Sequence, residues 1–388
     1  MTPAILQNQR LTFLRLWHRL APSVRLDRNL PARIQELLRD RSFGSRDRRL
    51  YRELLYTAVR HLPWVEGRPD DELAALVATL AGESAFTAPF KEQFARPDLV
   101  AGLSRENLLP GWLRAECPEA FAPDQLAALN TRAPLWLRLQ TPTPEKVFAE
   151  FQARSWDFKP SKVLADAVKL LDEADLAATT AYKQGWIEIQ DLGSQMILEA
   201  VGVVPESQWL DACAGAGGKT LQLAGLVGPI GWVDAGDIRA AALFELRERA
   251  RRAGLKNIRI VAEPPVDATY DAVLVDAPCS GTGTWRRAPH LKWCTTPTAV
   301  ANHAAWQREL LARYSRVLRP GGILVYATCS LCRSENEAVI EAFLSVYRRF
   351  APVAVTRTFG FARGRHGLAI LPARHDTDAF FVAVMQRK

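Results

Sequence analysis

The spacing of apolar residues predicts a helical first region. From about Thr12 to Phe121 apolar residues recur at intervals of three and four, as on one buried helix face. The clearest series, which Pro63 follows, is Leu50, Leu54, Leu55, Ala58, Val59 and Leu62. Because a proline so placed ends a helical run, the pattern indicates separate helices. We expect an all-helical domain over residues 1–128.

The pattern changes in a second, shorter region. Residues 135–139 and 185–189 have the composition of strands, and 143–152 has that of a capped helix. The sequence therefore predicts a small mixed α/β subdomain over 129–188.

The remaining residues, 189–388, alternate short apolar strands with helices. A helix opens near Gly218, and the strand candidates are 209–213, 231–235, 258–262, 272–275, 323–327 and 380–385. Alternation of this kind is typical of a mostly parallel, doubly wound sheet with helices on both faces. The predicted fold class is α/β.

The net charge and the cysteine content indicate the kind of binding partner and the cellular compartment of the protein. Among 388 residues, 50 are lysine or arginine and 42 are acidic, a net charge of +8. A polyanion is a natural partner, although basic runs are also common on solvated helix faces. With six cysteines, no leader-like segment and no apolar run of membrane length, we expect a cytoplasmic protein with reduced thiols and no membrane association.

A glycine-rich turn follows the first strand of the alternating region. Residues 211–220 read Asp-Ala-Cys-Ala-Gly-Ala-Gly-Gly-Lys-Thr. Glycines there let backbone amides approach a ligand at the start of a helix. A phosphate-binding P-loop would need glycine where Cys213 stands. Asp237, after the second strand, suits the ribose of a nucleoside cofactor, which both NAD and S-adenosylmethionine contain.

Two cysteines follow two later strands. Cys279 stands in Asp276-Ala-Pro-Cys-Ser-Gly-Thr-Gly, and Cys329 stands in Ala327-Thr-Cys-Ser. Both lie where an open α/β sheet exposes its strand ends, so the two thiols are expected to meet at one cleft. A lone cysteine is more often a small buried apolar residue. The spacing of Cys329 and Cys332 would also suit a redox or zinc pair, but without a second ligand pair we expect no metal.

Methylation of cytosine at carbon 5 is a reaction that uses two such thiols. Carbon 5 is too weak a nucleophile to accept a methyl group directly, whereas a thiolate that adds to carbon 6 activates it. The carbon 5 proton must then leave before the adduct can break down, which requires a positioned base. One cysteine would attack, and the other would assist release.

These motifs resemble those of the RsmB/NOP2/Sun family of RNA cytosine-5 methyltransferases. The resemblance covers about 134–388. The shared segments are Gln190-Asp-Leu-Gly-Ser-Gln195, the turn at 211–220, the segment at 276–283, Lys292-Trp293, Arg319-Pro-Gly-Gly322, Tyr326-Ala-Thr-Cys-Ser330 and Thr377-Asp-Ala-Phe-Phe381.

The resemblance implies a Rossmann-like class I fold, S-adenosylmethionine as the cofactor, and a set of residue roles. Cys329 would be the nucleophile, Cys279 would help release the product, and Asp276 would lie between cofactor and cytosine, within reach of Lys219. The cofactor's methionine part would be wrapped by Cys213, Ala214, Gly215, Ala216, Gly217, Gly218 and Lys219. Asp237 would bind the ribose.

Three positions depart from the family pattern. Ala216 replaces a proline in the turn, and Glu263 stands where the family has an adenine-side aspartate. Ala379 replaces a glycine near the C-terminal motif. With Ala216 in place of the proline, we expect the backbone around the cofactor to keep its conformation but the turn to be less rigid.

Upstream, the segment that begins Phe43-Gly-Ser-Arg-Asp-Arg-Arg-Leu resembles the NusB-like domain that precedes the catalytic part in bacterial 16S ribosomal RNA members of the family. This implies 16S rRNA as the partner, and we expect a monomer. The alternatives are the same chemistry on transfer RNA and a non-catalytic RNA-binding assembly factor. A DNA cytosine-5 enzyme is disfavoured, because there the cysteine after proline attacks and Cys329 would have no role.

Overall fold

The computed structural model describes residues 1–171, 174–262 and 269–388. The packing divides the chain into two compact units, Met1–Arg132 with Trp285–Thr296, and Ala133–Thr284 with Pro297–Lys388. The segment Trp285–Thr296, which lies inside the predicted domain 189–388, therefore belongs to the first unit. Among the residues described, no helix combines the length and the apolar character needed to cross a membrane.

The described residues form helices and strands with the following bounds. The helices are α1 (Pro3–Leu20), α2 (Leu30–Leu37), α3 (Ser45–Arg60), α4 (Leu62–Val65), α5 (Asp70–Leu80), α6 (Ala88–Phe94), α7 (Leu113–Glu116), α8 (Pro123–Leu129), α9 (Pro144–Ala153), α10 (Thr180–Lys183), α11 (Leu192–Val201), α12 (Gly218–Val227), α13 (Ala240–Arg252), α14 (Leu291–Cys294), α15 (Pro297–Tyr314), α16 (Glu337–Val346) and α17 (Pro372–His375). The strands are β1 (Leu135–Leu139), β2 (Phe158–Pro160), β3 (Ala167–Leu170), β4 (Ile187–Ile189), β5 (Gln208–Asp211), β6 (Trp232–Ala235), β7 (Ile258–Ile260), β8 (Tyr270–Asp276), β9 (Leu318–Thr328), β10 (Phe350–Val353), β11 (Leu368–Ile370) and β12 (Phe380–Arg387).

Helices α1–α8 build the first unit around an apolar core. In α3 the predicted face is buried, with Leu54 and Val59 both fully inaccessible. The helix ends at Arg60, and Leu62 begins α4 with Pro63 in its first turn. Proline is tolerated there because that N–H has no partner within the helix. The predicted apolar run is thus divided between two helices.

The segment Trp285–Thr296 is bound within the first unit by donors that reach backbone carbonyls. Lys292 is 1% exposed, and its ammonium donates to the carbonyl oxygens of Arg60 and Leu108 and to the Asn130 side chain, at 2.7–3.1 Å. Burial, and then the nearby charge of Arg60, hold the pKa of Lys292 well below its ordinary value. The indole of Trp293 donates to the Val59 carbonyl at 2.7 Å. Lys292 and Trp293 therefore act in the packing of the helical unit.

The small sheet of the second unit is antiparallel, in the order β2-β3-β1-β4. Helix α9 contributes Val147 and Phe151 to its core. Residues 135–139 form β1 as predicted, 143–152 correspond to α9, and 185–189 contain β4. Strands β2 and β3 were not predicted, because they are only three and four residues long and neither alternates clearly between buried and exposed positions.

The large sheet has the order β10-β12-β9-β8-β5-β6-β7, with β11 paired to β12. Strands β5 to β9 run parallel, whereas β12 runs antiparallel to β9 and β10 antiparallel to β12. Along β8, Leu274 enters one apolar core and Val273 and Val275 enter another. Because alternate side chains point to opposite faces, both faces of the sheet are covered. The predicted doubly wound α/β fold is confirmed.

The strand order reverses between β5 and β8, since β6 lies beside β5 on one side and β8 on the other. In doubly wound sheets a ligand crevice opens at such a reversal, beyond the carboxyl ends of the strands. The segments that follow β5, β8 and β9 therefore meet at one edge.

Candidate active site

The glycine-rich turn connects β5 to α12 at the edge of the sheet where the crevice opens. Gly215 and Gly217 have φ values of +55° and +91°, which residues with a side chain rarely adopt. A Cβ at Gly217 would also lie 2.7 Å from Leu246 Cγ, so no side chain fits there. A Cβ at Gly218 would meet nothing within 4 Å. The start of α12 therefore has open space beside Gly218, where a ligand can approach the N-terminus of the helix.

Asp237 lies beside this turn, just beyond β6. Its carboxylate accepts the Gly215 N–H at 2.8 Å and the guanidinium of Arg239 at 3.0 Å. Burial would raise the pKa of Asp237, but the hydrogen bonds from Arg239 and Gly215 outweigh it and lower the pKa. The carboxyl is therefore an anionic acceptor next to the glycine backbone, which is the group that two ribose hydroxyls need.

A buried ion pair spans the crevice. Lys219, in the first turn of α12, donates to Asp276 Oδ2 at 2.7 Å from the end of β8. Burial would lower the pKa of Lys219, yet the charge and hydrogen bond of Asp276 raise it. Asp211, fully enclosed behind the turn, has its pKa raised to about 7 by burial. The sequence placed Lys219 within reach of Asp276, and the structure brings the two together.

The two predicted cysteines lie in contact. β8 and β9 are parallel neighbours in which Asp276 is opposite Ala327, so the residues that follow leave the sheet at the same edge. The Sγ atoms of Cys279 and Cys329 are 3.3 Å apart. A hydrogen bond to the Cys329 sulfur, then burial, raises the pKa of Cys279 well above its ordinary value. The protonated form of Cys279 is therefore favoured in this site.

Glu335 joins the loops that carry the two cysteines. Its side chain is fully buried, and it accepts the Ser280 N–H at 2.8 Å and the Gln307 amide at 3.2 Å. The hydroxyls of Ser280 and Ser330 donate to its other oxygen. Each serine directly follows one of the cysteines. Sequence reasoning missed Glu335, and the only signal for it was a charged residue just before an apolar helix.

The remaining predicted positions have different outcomes. Glu263 lies outside the described residues. Cys332 is buried, with its sulfur 3.8 Å from Thr282 Oγ1, whereas the sulfur in contact with Cys329 is that of Cys279. In the described part of the chain, no group of three or more His, Cys, Asp or Glu side chains is arranged to hold a metal. Cys213 is largely enclosed behind the turn, and burial raises the pKa of its thiol.

The doubly wound sheet, the glycine turn and the acid after the second parallel strand together define a Rossmann-like protein that binds a nucleoside cofactor, a class that includes the S-adenosylmethionine-dependent methyltransferases. Comparisons with known proteins narrow the class. A family model described as 16S rRNA methyltransferase RsmB/F matches residues 198–386. A Bacillus subtilis protein named probable ribosomal RNA small subunit methyltransferase B is 31% identical over 311 residues, which are 75% of this chain and 69% of that protein. The chain belongs to the RsmB/F family, as its motifs indicated.

Two further comparisons show how far the similarity extends. A Synechocystis protein with the same name is 36% identical over 218 residues, and the match covers 53% of this chain and 49% of that protein. The chain thus spans about half of one relative and about two thirds of the other. The solved structure of a methyltransferase homolog from Pyrococcus horikoshii has a TM-score of 0.62 at 24% identity, covering 74% of this chain and 96% of that chain. That likeness supports the fold.

Proposed function

We propose that this protein methylates carbon 5 of a cytosine in RNA, with 16S rRNA as the substrate and Cys329 as a covalent nucleophile. The observation that carries the proposal is the contact of the Cys279 and Cys329 sulfurs, 3.3 Å apart, at the strand edge that also holds the Lys219–Asp276 ion pair. The names of the relatives support ribosomal RNA as the substrate class.

The residues around the turn fit the cofactor. S-adenosylmethionine, when bound, supplies the methyl group. The backbone from Cys213 to Gly218 would wrap its methionine part, because the two glycines with positive φ allow close approach and a Cβ at Gly218 would meet no other atom within 4 Å. Asp237 would accept hydrogen bonds from the ribose hydroxyls.

The proposed first step is addition of the Cys329 sulfur to carbon 6. The sulfur–carbon bond forms, and the electron pair of the double bond moves toward carbon 5, which becomes nucleophilic. Asp276 would accept a hydrogen bond from the amino group of the base, which lies beside N3. Lys219 holds that carboxyl at 2.7 Å, and its positive potential favours the negative charge that the ring gains on addition.

Cys279 is suited to the release step. Its pKa is raised chiefly by the hydrogen bond to the Cys329 sulfur. Once that sulfur is bonded to carbon 6 it no longer interacts with Cys279 as a free sulfur, and Cys279 can release its proton to water. The resulting thiolate takes the proton from carbon 5, the carbon 5–carbon 6 double bond forms again, and the bond to Cys329 breaks with its electron pair on the sulfur. Cys279 is then protonated, and the Cys329 sulfur is again free to add to a base.

The first unit would contact the RNA, as a NusB-like domain is expected to do. Arg41, Arg46 and Arg49 are exposed around the start of α3. Contacts between arginine and phosphate make binding dependent on salt. Replacing Arg46 and Arg49 with glutamate should weaken RNA binding and reduce its salt dependence. Unchanged binding at every salt concentration would contradict a role for this surface.

The proposal is tested by incubating the full chain with labelled S-adenosylmethionine and 16S rRNA or transfer RNA. We expect label in 5-methylcytosine of 16S rRNA, and none with Cys329→Ala. Cys294→Ala, in the first unit, is the matched control and should remain active. Label only in transfer RNA would support the alternative substrate, and no label with either RNA would support a non-catalytic binding factor.

A further inference from the structure

We propose that Arg249 and Glu188 position the cofactor turn and supply the rigidity that a proline supplies elsewhere in the family at the place of Ala216. The inference rests on the proposed assignment of the turn at 211–220 to S-adenosylmethionine. It does not depend on which base or RNA is methylated.

The turn has a conformation that accepts proline. The Gly217 N–H donates to the Ala214 carbonyl at 2.9 Å, which closes a four-residue turn. Gly215, its second residue, has a φ of +55°, while Ala216 is not among the described residues with positive φ. This is the pattern of a type II′ turn, in which only the second residue needs the left-handed region. Alanine at this third position has no ring to fix its φ, as a proline would have.

Arg249 holds the carbonyl of that third residue. Its Nη1 donates to the Ala216 oxygen at 2.7 Å from the last turn of α13. The helix packs directly on the turn, because Leu246, one helical turn earlier, occupies the space beside Gly217. The guanidinium is 14% exposed, so the hydrogen bond is largely shielded from water. A charged donor in such a place forms a strong bond.

Glu188 fixes the guanidinium in turn. It lies on β4 of the small sheet, is 2% exposed, and accepts from Arg249 Nη2 at 2.8 Å and Nε at 3.2 Å. Its second oxygen accepts from Arg252 at 2.7 Å. Arg249 donates from two nitrogens to the Glu188 carboxylate and from the third to the Ala216 carbonyl. These three hydrogen bonds fix the orientation of its planar guanidinium. The small sheet thereby contributes to the cofactor site.

The expected effect is on affinity for the cofactor. A turn that is already held loses little freedom when a ligand binds, whereas a loose turn must be ordered at that moment. Removing the Arg249 hydrogen bond should therefore weaken binding, and a proline at 216 should restore it by restricting the same backbone. Neither residue is proposed to touch the reacting atoms, so both are positioning residues.

The test is calorimetric titration of the full-length protein with S-adenosylhomocysteine, without RNA. Arg249→Ala should raise Kd roughly ten- to thirtyfold. The double variant Arg249→Ala with Ala216→Pro should return Kd to within about threefold of the starting protein, a rescue that a general loss of stability would not show. Arg251→Ala, on the exposed face of α13, is the matched control and should bind normally.

Three results would overturn the inference. The first is a Kd of Arg249→Ala for S-adenosylhomocysteine that equals that of the starting protein. The second is a raised Kd of Arg249→Ala that the added Ala216→Pro change does not bring back down. Because Arg249→Ala removes one partner of a buried ion pair, Glu188→Gln is the second variant, since it keeps the size of the side chain. It should raise Kd severalfold, and normal binding by that variant is the third such result. Cofactor binding without methyl transfer to RNA would leave this inference standing while refuting the proposed reaction.

Discussion

Replacement of Glu335 should separate the positioning of the cysteines from the chemistry they perform. In Glu335→Gln, the amide oxygen can still accept from the Ser280 N–H and from Gln307, and its NH2 can donate to the two serine hydroxyls. The charge is lost, which weakens each bond by part of its charge assistance. We expect a folded protein whose kcat falls about tenfold, equal to about 1.4 kcal/mol, with unchanged cofactor affinity.

Glu335→Ala should behave differently, because it leaves buried donors without an acceptor. The Ser280 N–H and a Gln307 N–H each lose the carboxylate, whereas the hydroxyls of Ser280 and Ser330, 3.4 Å apart, can bond to each other. At about 1–3 kcal/mol for each of the two unsatisfied donors, the free energy of unfolding should fall by roughly 2–6 kcal/mol. Urea unfolding of the two variants measures this difference.

A second readout follows the cysteines themselves. The negative charge of Glu335 is one cause of the raised pKa of Cys279, after the Cys329 hydrogen bond and burial. In Glu335→Gln, alkylation of Cys279 by iodoacetamide, located by mass spectrometry, should therefore begin at lower pH. Glu341→Gln, a half-exposed glutamate paired with Arg333, is the control. An unchanged alkylation profile together with normal kcat would refute the idea that Glu335 sets the two loops.

Three more outcomes are expected. Cys279→Ala should accumulate a covalent protein–RNA adduct that migrates slowly in a denaturing gel, because carbon 5 then keeps its proton; an adduct that instead persists in Cys329→Ala would exchange the two roles. Lys219→Met should lower kcat/KM roughly 30- to 100-fold, about 2–3 kcal/mol, because Asp276 loses its buried partner, and steady-state rates near those of the unmodified protein would contradict this. Burial lowers the pKa of His61 to about 3 in the folded protein, whereas the unfolded chain takes up this proton near pH 6.5. The contribution of the neutral His61 to the free energy of unfolding is therefore complete above pH 6.5 and is lost as the pH falls below that value. Because the raised pKa of Asp211 acts in the opposite direction over the same range, the His61 contribution is measured by comparing two proteins. In urea unfolding, the stability lost between pH 7 and pH 5 should be about 2 kcal/mol greater in the unmodified protein than in His61→Gln.

The sequence by itself determined the elements that carry the candidate chemistry. Apolar alternation located the parallel strands, and glycine spacing located the turn before Gly218. Since parallel strands end at one edge of a sheet, the placement of Cys279 and Cys329 after two strands was enough to predict that they meet. These predictions succeeded because they depend on local periodicity and on a rule common to doubly wound sheets. The proximity of Lys219 to Asp276 was instead implied by the resemblance to the RsmB/NOP2/Sun family, and the structure pairs the two side chains.

Only the tertiary structure decided which distant side chains complete the site. Glu188 and Arg249 are 61 residues apart, and Glu335 is 55 residues from Ser280, so no local pattern links them. Their contacts follow from strand register and from how α13 and the cysteine loops pack. The same holds for Trp285–Thr296, which belongs to the helical unit because Lys292 and Trp293 find their acceptors on its carbonyls. Periodicity records which face of an element is buried, but the partner of a buried polar group is set by the three-dimensional packing.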